Sequence, residues 1–434
     1  MRFGISSISV IIVAVIWTTL GPVAQNALSQ EKSAAARCIA ANGVVLTPSL
    51  KGSWGSLVVN AEIPADALLI ALFGAEFTLP SGNVSVRASA DVGERGPVPV
   101  LEAALRFHAT KSADLEVSLE RGILILTNTK KSGSARVRLR FRAEIIEITL
   151  DEPKARLAIQ VYGRHVPGPV KLDDPKEDDP VAYIVFLALE GHAVITTEKH
   201  AARLHVAPGP GLYWWDSVTR AGEVVRFEKT PDFAKPMTEV ERKSFETICG
   251  FAKAWAGEPG DIAMTLQNAA GKPNATERKA GVVALGALDE LSRLMQVFNN
   301  KEHADTRDMA ILVLRHWLGR EPGQVSRLYG HLTKVEKYSS TQARTLLHLL
   351  NGIEAEKRHE PETYDLLIQE LKHSKLPIRE LAHWHLVRLA PEGKSIAFDA
   401  AGDESQRLMA VEAWRRLIPE GQLPPAPKKK SPAK

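Results

Sequence analysis

Residues 134–150 read SARVRLRFRAEIIEITL. Arg136, Arg138, Arg140 and Arg142 alternate with Val137, Leu139 and Phe141, the period of two that marks a strand with one buried face. The apolar positions then switch from odd (Val137, Leu139) to even (Ile146, Ile148, Leu150). A two-residue turn at Arg142-Ala143 produces that switch without a bulge, because 141 then pairs with 144. On the buried side Leu139 faces Ile146 and Val137 faces Ile148. On the wet side Arg138 lies opposite Glu147 and Arg136 opposite Thr149. Arg140, opposite Ile145, is left without a partner and is a candidate for an interaction surface. The arginine stripe therefore reads as the outer face of a hairpin, not as a polyanion site.

The same strand grammar extends outward from this hairpin. Leu57–Val59, Val84–Val86, Leu115–Leu119 and Ile123–Leu126 are short apolar or alternating runs. Turn residues separate them: Pro80-Ser81-Gly82-Asn83, Arg121-Gly122 and Lys131-Ser132-Gly133. Evenly spaced short strands without intervening amphipathic helices predict an all-β sandwich or β-roll over residues 40–227. The acidic run at 173–180 lacks EF-hand spacing and reads as a solvated loop.

From about Thr238 the period becomes helical. Tyr364, Leu367, Ile368 and Leu371 recur at i, i+3, i+4 and i+7 behind Pro361, and Lys372 and His373 are placed in the last turn. Pro377 opens a second helix with Ile378, Leu381, Ala382, His385, Leu386 and Leu389 on one face. A weak repeat runs through this half: Arg307-x-x-Ala310-x-x-x-Leu314, Arg379-x-x-Ala382-x-x-x-Leu386, Arg407-x-x-Ala410-x-x-x-Trp414, and a looser copy at Arg278-x-x-Gly281-x-x-x-Leu285. The small residue lets helices approach and the large one fills the space between them. Residues 238–421 are expected to form a HEAT-like α-solenoid or an irregular helical bundle. The chain as a whole is expected to be α+β and multidomain.

Composition narrows the function classes. Of 434 residues, 44% are hydrophobic and 24% charged, the balance of a globular protein. A net charge of +4 is too small for a dedicated nucleic-acid binder. Part of it sits in a proline- and lysine-rich tail, 422–434, expected to be disordered. At the other end Arg2 precedes the apolar run Ile8–Leu20, then Gly21-Pro22 and the small residues Ala27-Leu28-Ser29. This is a signal-peptide pattern over 1–29, with an uncleaved anchor as the alternative. It predicts export to the periplasm or cell envelope, with membrane contact only through this segment. Cys38 and Cys249 are the two cysteines; an oxidising compartment permits a disulfide between them.

No catalytic constellation emerges. Thirteen histidines contain no zinc-ligand spacing. His383 and His385 are i and i+2, so they point to opposite sides of a helix, and His385 reads as a hydrogen-bonded core or groove histidine. Gly52–Ser56 lacks the spacing of a nucleophile elbow. Pro208–Gly211 is no phosphate cradle, because prolines lack the N–H. No cofactor or metal site is expected. The run Tyr213-Trp214-Trp215 is the main binding candidate, either stacking on a sugar or partner or sealing the junction between the two halves.

Two segments carry a family resemblance. Val181–Ile195, with Leu189-Glu190-Gly191 at its centre, and Leu204–Gly211 resemble the hairpin and following proline–glycine turn of FecR-type periplasmic β domains. Leu119–Ile125 resembles the same hairpin logic. Trp214-Trp215-Asp216-Ser217, Ile378–Leu386 and Trp414–Gly421 look like segments of multidomain envelope proteins of planctomycete-type bacteria. The resemblance implies an envelope protein. FecR proteins relay signals through a cytoplasmic segment before their span, and the few residues ahead of Ile8 leave that relay to a partner. The expected function is a non-enzymatic, protein-binding envelope scaffold. The alternatives are an anchored signal-transduction subunit and an envelope carbohydrate-binding protein or enzyme.

Overall fold

The computed structural model describes residues 34–41, 43–48, 53–89, 102–172, 179–230 and 237–425. The signal segment, most of the acidic loop and the basic tail beyond 425 lie outside the described residues. Seventeen strands precede ten α-helices among the described residues, an α+β arrangement in which the strands begin at Ala34.

The strands form two sheets. The first runs β4 (Glu62–Pro64), β1 (Ala34–Ala41), β6 (Ala75–Thr78), β7 (Val84–Ser89), β9 (Leu115–Asn128), β12 (Arg156–Arg164), β13 (Val181–Glu190), β16 (Gly209–Asp216) and β17 (Gly222–Phe227). The second runs β3 (Trp54–Ser56), β2 (Val44–Pro48), β5 (Leu69–Leu72), β8 (Ala103–His108), β9 again, β10 (Ala135–Phe141), β11 (Glu144–Leu150), β14 (His192–Thr196) and β15 (Ala201–His205). One core fills the space between them, with Phe77, Val86 and Ile159 from the first sheet meeting Val45, Phe107 and Leu139 from the second.

β9 belongs to both sheets. Its first half pairs with β8 and, in parallel, with β10; its second half pairs with β7 and β12. The buried positions change from odd (Leu115, Val117, Leu119) to even (Leu124, Leu126) as it crosses. Gly122 allows the crossing: its φ is +108°, and a Cβ there would meet the Glu102 carbonyl oxygen at 2.4 Å. Arg121-Gly122 is thus a bend within one strand, not the turn expected from sequence. Gly191 likewise carries the chain from β13 in one sheet to β14 in the other, so it closes no hairpin.

The β10–β11 hairpin has the expected register, Leu139 on Ile146 and Arg138 on Glu147, with Arg142 at φ +52° in the turn. Val44, Leu46, Ile70 and Leu72 face away from the sheet core and lie under the helices. β2 and β5 are therefore buried on both faces, which explains their unbroken apolar runs.

The helices are α1 (Glu239–Gly257), α2 (Ile262–Ala269), α3 (Ala275–Ala287), α4 (Leu291–Phe298), α5 (Ala304–Leu318), α6 (Gln324–Lys334), α7 (Ser340–Asn351), α8 (Pro361–Glu370), α9 (Leu376–Leu389) and α10 (Glu404–Leu417). α8 stops short of Lys372 and His373, which lie in the turn that follows. The repeat has a physical basis. Arg278, Arg307, Arg379 and Arg407 are each the fourth residue of a helix. Each turns back onto the preceding loop: Arg278 donates to the Lys272 and Pro273 carbonyls, Arg307 to Asn300, Arg379 to His373 and Ser374, and Arg407 to Gly402. A cation near a helix N-terminus opposes the dipole; these hydrogen bonds offset that cost. The small residues Ala310, Ala382 and Ala410 and the large Leu314, Leu386 and Trp414 are all buried. α7 carries a further copy, Ser340-x-x-Ala343-x-x-x-Leu347. It begins at Ser340, so no preceding turn exists for an arginine to fold over.

The described residues from both halves form one compact unit. No helix among them is long and apolar enough to cross a membrane.

Candidate functional site

The residues singled out in the sequence fall in separate places. Tyr213 and Trp215 point into the sheet core, against Phe186 and Phe141, and neither is available to a ligand. Strand alternation turns Trp214 the other way. It joins an outer-face row with Tyr183, 6.5 Å away between ring centroids, and Tyr162, stacked on Tyr183 at 5.2 Å. Arg164 lies over the Tyr183 ring at 5.0 Å.

Arg140 has a partner after all. The parallel neighbour β9 brings up Glu116, and Arg140 Nε donates to its carboxylate at 2.6 Å. Glu116 is buried; burial would raise its pKa, but Arg140 and its other hydrogen bonds hold the carboxyl below the usual range. The sequence shows cross-hairpin pairs but not which strand lies on β10's other edge.

Cys38 and Cys249 are buried free thiols. Cys38 sits in the sheet core and Cys249 donates to the Phe73 carbonyl at 3.4 Å, so the disulfide is not formed. Burial pushes Cys249 up to about 11, the signature of an inert thiol. His383 and His385 do diverge: His383 packs on Phe398, while His385 Nε2 donates to the Leu349 carbonyl at 2.7 Å.

The strongest polar constellation lies where the sheets meet the helices. Glu102, fully buried just before β8, accepts from Arg121 Nε at 2.5 Å and Arg320 Nη2 at 2.6 Å. His316 Nε2 stands 3.5 Å from the same oxygen. Arg121 also donates to the Ala287 carbonyl and Arg320 to Gly286, both at the C-terminal end of α3, where cations suit the dipole. Burial alone would raise the Glu102 pKa; Arg320, His316 and Arg121 reverse this and hold it well below the usual range. Burial pushes the His316 pKa below its usual value, against the pull of Glu102, and lowers Arg320 to about 10. Glu102 is the ionised member that ties strand to helix.

Beside this cluster the backbones touch. A Cβ on Gly163 would come within 1.8 Å of the Gly319 carbonyl oxygen, and one on Gly319 within 2.1 Å of that of Gly163. His165 Nε2 donates to the Leu318 carbonyl at 3.1 Å. Next to the contact lies a cavity of about 200 Å³, lined by Arg164, His165, Arg315, His316, Asn351 and Trp384 together with leucines. Its lining contains no carboxylate. Arg315 donates to the Leu350 carbonyl and lies 5.3 Å from the centre of the Trp384 ring; Arg388 lies 3.5 Å from the same centre.

Sequence reasoning missed these residues because they come from β9, β12, α5, α7 and α9 and from the residues just before β8 and just after α5. The one local signal was Arg315-His316, two polar residues inside the apolar stretch of α5. Among the described residues no cluster of three or more His, Cys, Asp or Glu side chains is placed to hold a metal ion. Compared with known proteins, the chain matches no family model, no curated protein and no solved structure.

Proposed function

We propose that the chain is a non-enzymatic, exported protein of the cell envelope that binds protein partners. In this reading a FecR-like β half and a HEAT-like helical half act as one rigid scaffold. The observation that carries it is an exposed apolar pair on α10, the last of the described helices. α10 buries Ala410 and Trp414 against its neighbours but exposes Leu408 and Met409. Adjacent exposed apolar side chains beside a packed helical face offer a surface to a partner. The Glu102 cluster and the Gly163–Gly319 contact support rigidity, so a partner docks without ordering the scaffold first. Cross-linked affinity capture from the envelope tests this. Wild type should retain a reproducible protein partner that the double variant Leu408→Asp, Met409→Asp loses; no reproducible partner, or equal retention by both, overturns it.

A second reading, carbohydrate binding, draws on the row Tyr162, Tyr183 and Trp214, because half-buried aromatic rings in line on the outer face of a sheet can stack on sugar faces. Trp214→Ala should then abolish glycan binding with folding intact. Absence of glycan binding by wild type removes this reading.

A further inference from the structure

Arg315 is enclosed by α5, α7 and α9 beside the β12 end. Its hydrogen bond goes to a neutral carbonyl, and its cation–π contact is with a ring shared with a second cation, Arg388. Burial and Arg388 lower it to about 10. A half-buried guanidinium without a carboxylate is still costly unless something supplies negative charge. Elsewhere the fold supplies it from within: Glu102 for Arg320, Glu380 for Arg307. No carboxylate lines the cavity itself, and Glu102, 3.5 Å from its His316, already serves Arg121 and Arg320.

Two further lining residues have spare hydrogen-bonding capacity. His316 and Asn351 are 5% and 6% exposed, and His316 Nδ1 and Asn351 Oδ1 have no partner among the described residues. Arg164 stands at the exposed rim and His165 beside it. Buried polar atoms of this kind call for a ligand or ordered solvent. A cavity of about 200 Å³ is smaller than the roughly 300–1,000 Å³ of sites for drug-sized ligands. We propose that this junction cavity is a binding site for a small organic anion bearing a carboxylate or phosphate group, held by Arg315 and Arg164 against the Trp384 wall. The guanidinium fork takes either oxyanion in a bidentate manner. The apolar wall of Trp384 and the leucines accommodates a short carbon body. This site does not depend on the scaffold reading.

Isothermal titration calorimetry of the full chain with succinate, inorganic phosphate and uncharged succinamide, at constant ionic strength, tests it. Saturable binding of succinate or phosphate but not succinamide is expected, and which anion binds more tightly identifies the ligand class. Arg315→Met should weaken binding at least tenfold and Arg164→Met about threefold. Arg203→Met, which removes an exposed arginine paired with Asp151, should leave binding unchanged. If Arg315→Met fails to fold, Arg164→Met decides: a loss supports the site and unchanged affinity overturns it. No saturable binding of either anion, or equal binding by Arg315→Met and wild type, also overturns it.

Discussion

Arg307 is buried and Arg315 half-buried on α5, and their surroundings differ. Arg307 is 1% exposed and saturated: it bonds Glu380, Asp399 Oδ1 at 3.0 Å and the Asn300 carbonyl at 2.9 Å. Arg315 bonds one carbonyl and leans on an indole that Arg388 also covers. The first has the wiring of a structural brace. The second has the wiring of a group that waits for charge from outside. The comparison separates an arginine that the fold needs from one that the fold tolerates.

The largest effect is expected where one carboxylate serves several cations. Glu102→Gln leaves Arg121 and Arg320 facing each other without an anion, and breaking a buried pair in this way costs about 3–5 kcal/mol. Urea unfolding measures it; a loss below ~1 kcal/mol would mean that the junction is solvated. Arg307→Met follows, at about 3 kcal/mol. Burial already raises the Glu380 carboxyl above its usual range with Arg307 in place. Without the arginine it escapes by taking a proton, which keeps the cost at the lower end.

How much of this was legible in the sequence depends on the distance over which each signal acts. The parity switch between Val137 and Ile148 fixes the β10–β11 register because the turn, both strands and their pairing lie within one short segment. The Arg-x-x-small-x-x-x-large copies were readable for the same reason: each arginine answers carbonyls of the loop just before it. β9 was misread because a strand crossing between sheets and two strands joined by a turn leave the same trace, two apolar runs around a glycine. Only the approach of Glu102 to Gly122 distinguishes them. Tyr213 and Trp215 were offered as ligands because a run of aromatics hides which faces inward; alternation decides it once the strand is placed. Glu102 and Arg320 meet across the sheet–helix junction, and no local pattern announces such a pair.

Acid titration separates the two kinds of buried group by pH window. Burial first, then Arg315 and Arg388, depress His385 to about 4, against the hydrogen bond to Leu349; burial also holds His383 at about 4. Unfolded histidine binds its proton near 6.5. Between pH 6.5 and 4 the unfolded chain therefore holds protons that the folded chain refuses. Stability is fully present above about pH 6.5 and falls as pH drops toward 4, by roughly 3 kcal/mol for each histidine. Glu102 acts in a lower window: its folded pKa is depressed, so its contribution is lost only below about pH 4.3, where the unfolded carboxylate protonates. His385→Gln should remove one histidine's share, roughly 3 kcal/mol, of the decline between pH 6.5 and 4 and leave the lower limb intact. Unfolding curves at stepped pH check both limbs; an upper limb unchanged in the variant would mean that His385 is not held neutral.

The smallest effect on stability is expected at Arg315 itself. Arg315→Met removes a partly desolvated charge and its repulsion with Arg388, and loses one charged hydrogen bond worth about 1.5–3 kcal/mol. The methionine keeps most of the apolar stem against Trp384. These changes oppose each other, so the variant should lie within ~1 kcal/mol of wild type in urea unfolding, against about 3 for Arg307→Met. Its decline below pH 6.5 should also be shallower, because one of the cations that depress His385 is gone. A loss at Arg315 as large as that at Arg307 would break the comparison, since it would mean that the fold already supplies Arg315 with its counter-charge. A near-neutral effect on stability combined with lost anion affinity sharpens it, because a brace and a binding group differ in that pair of readouts.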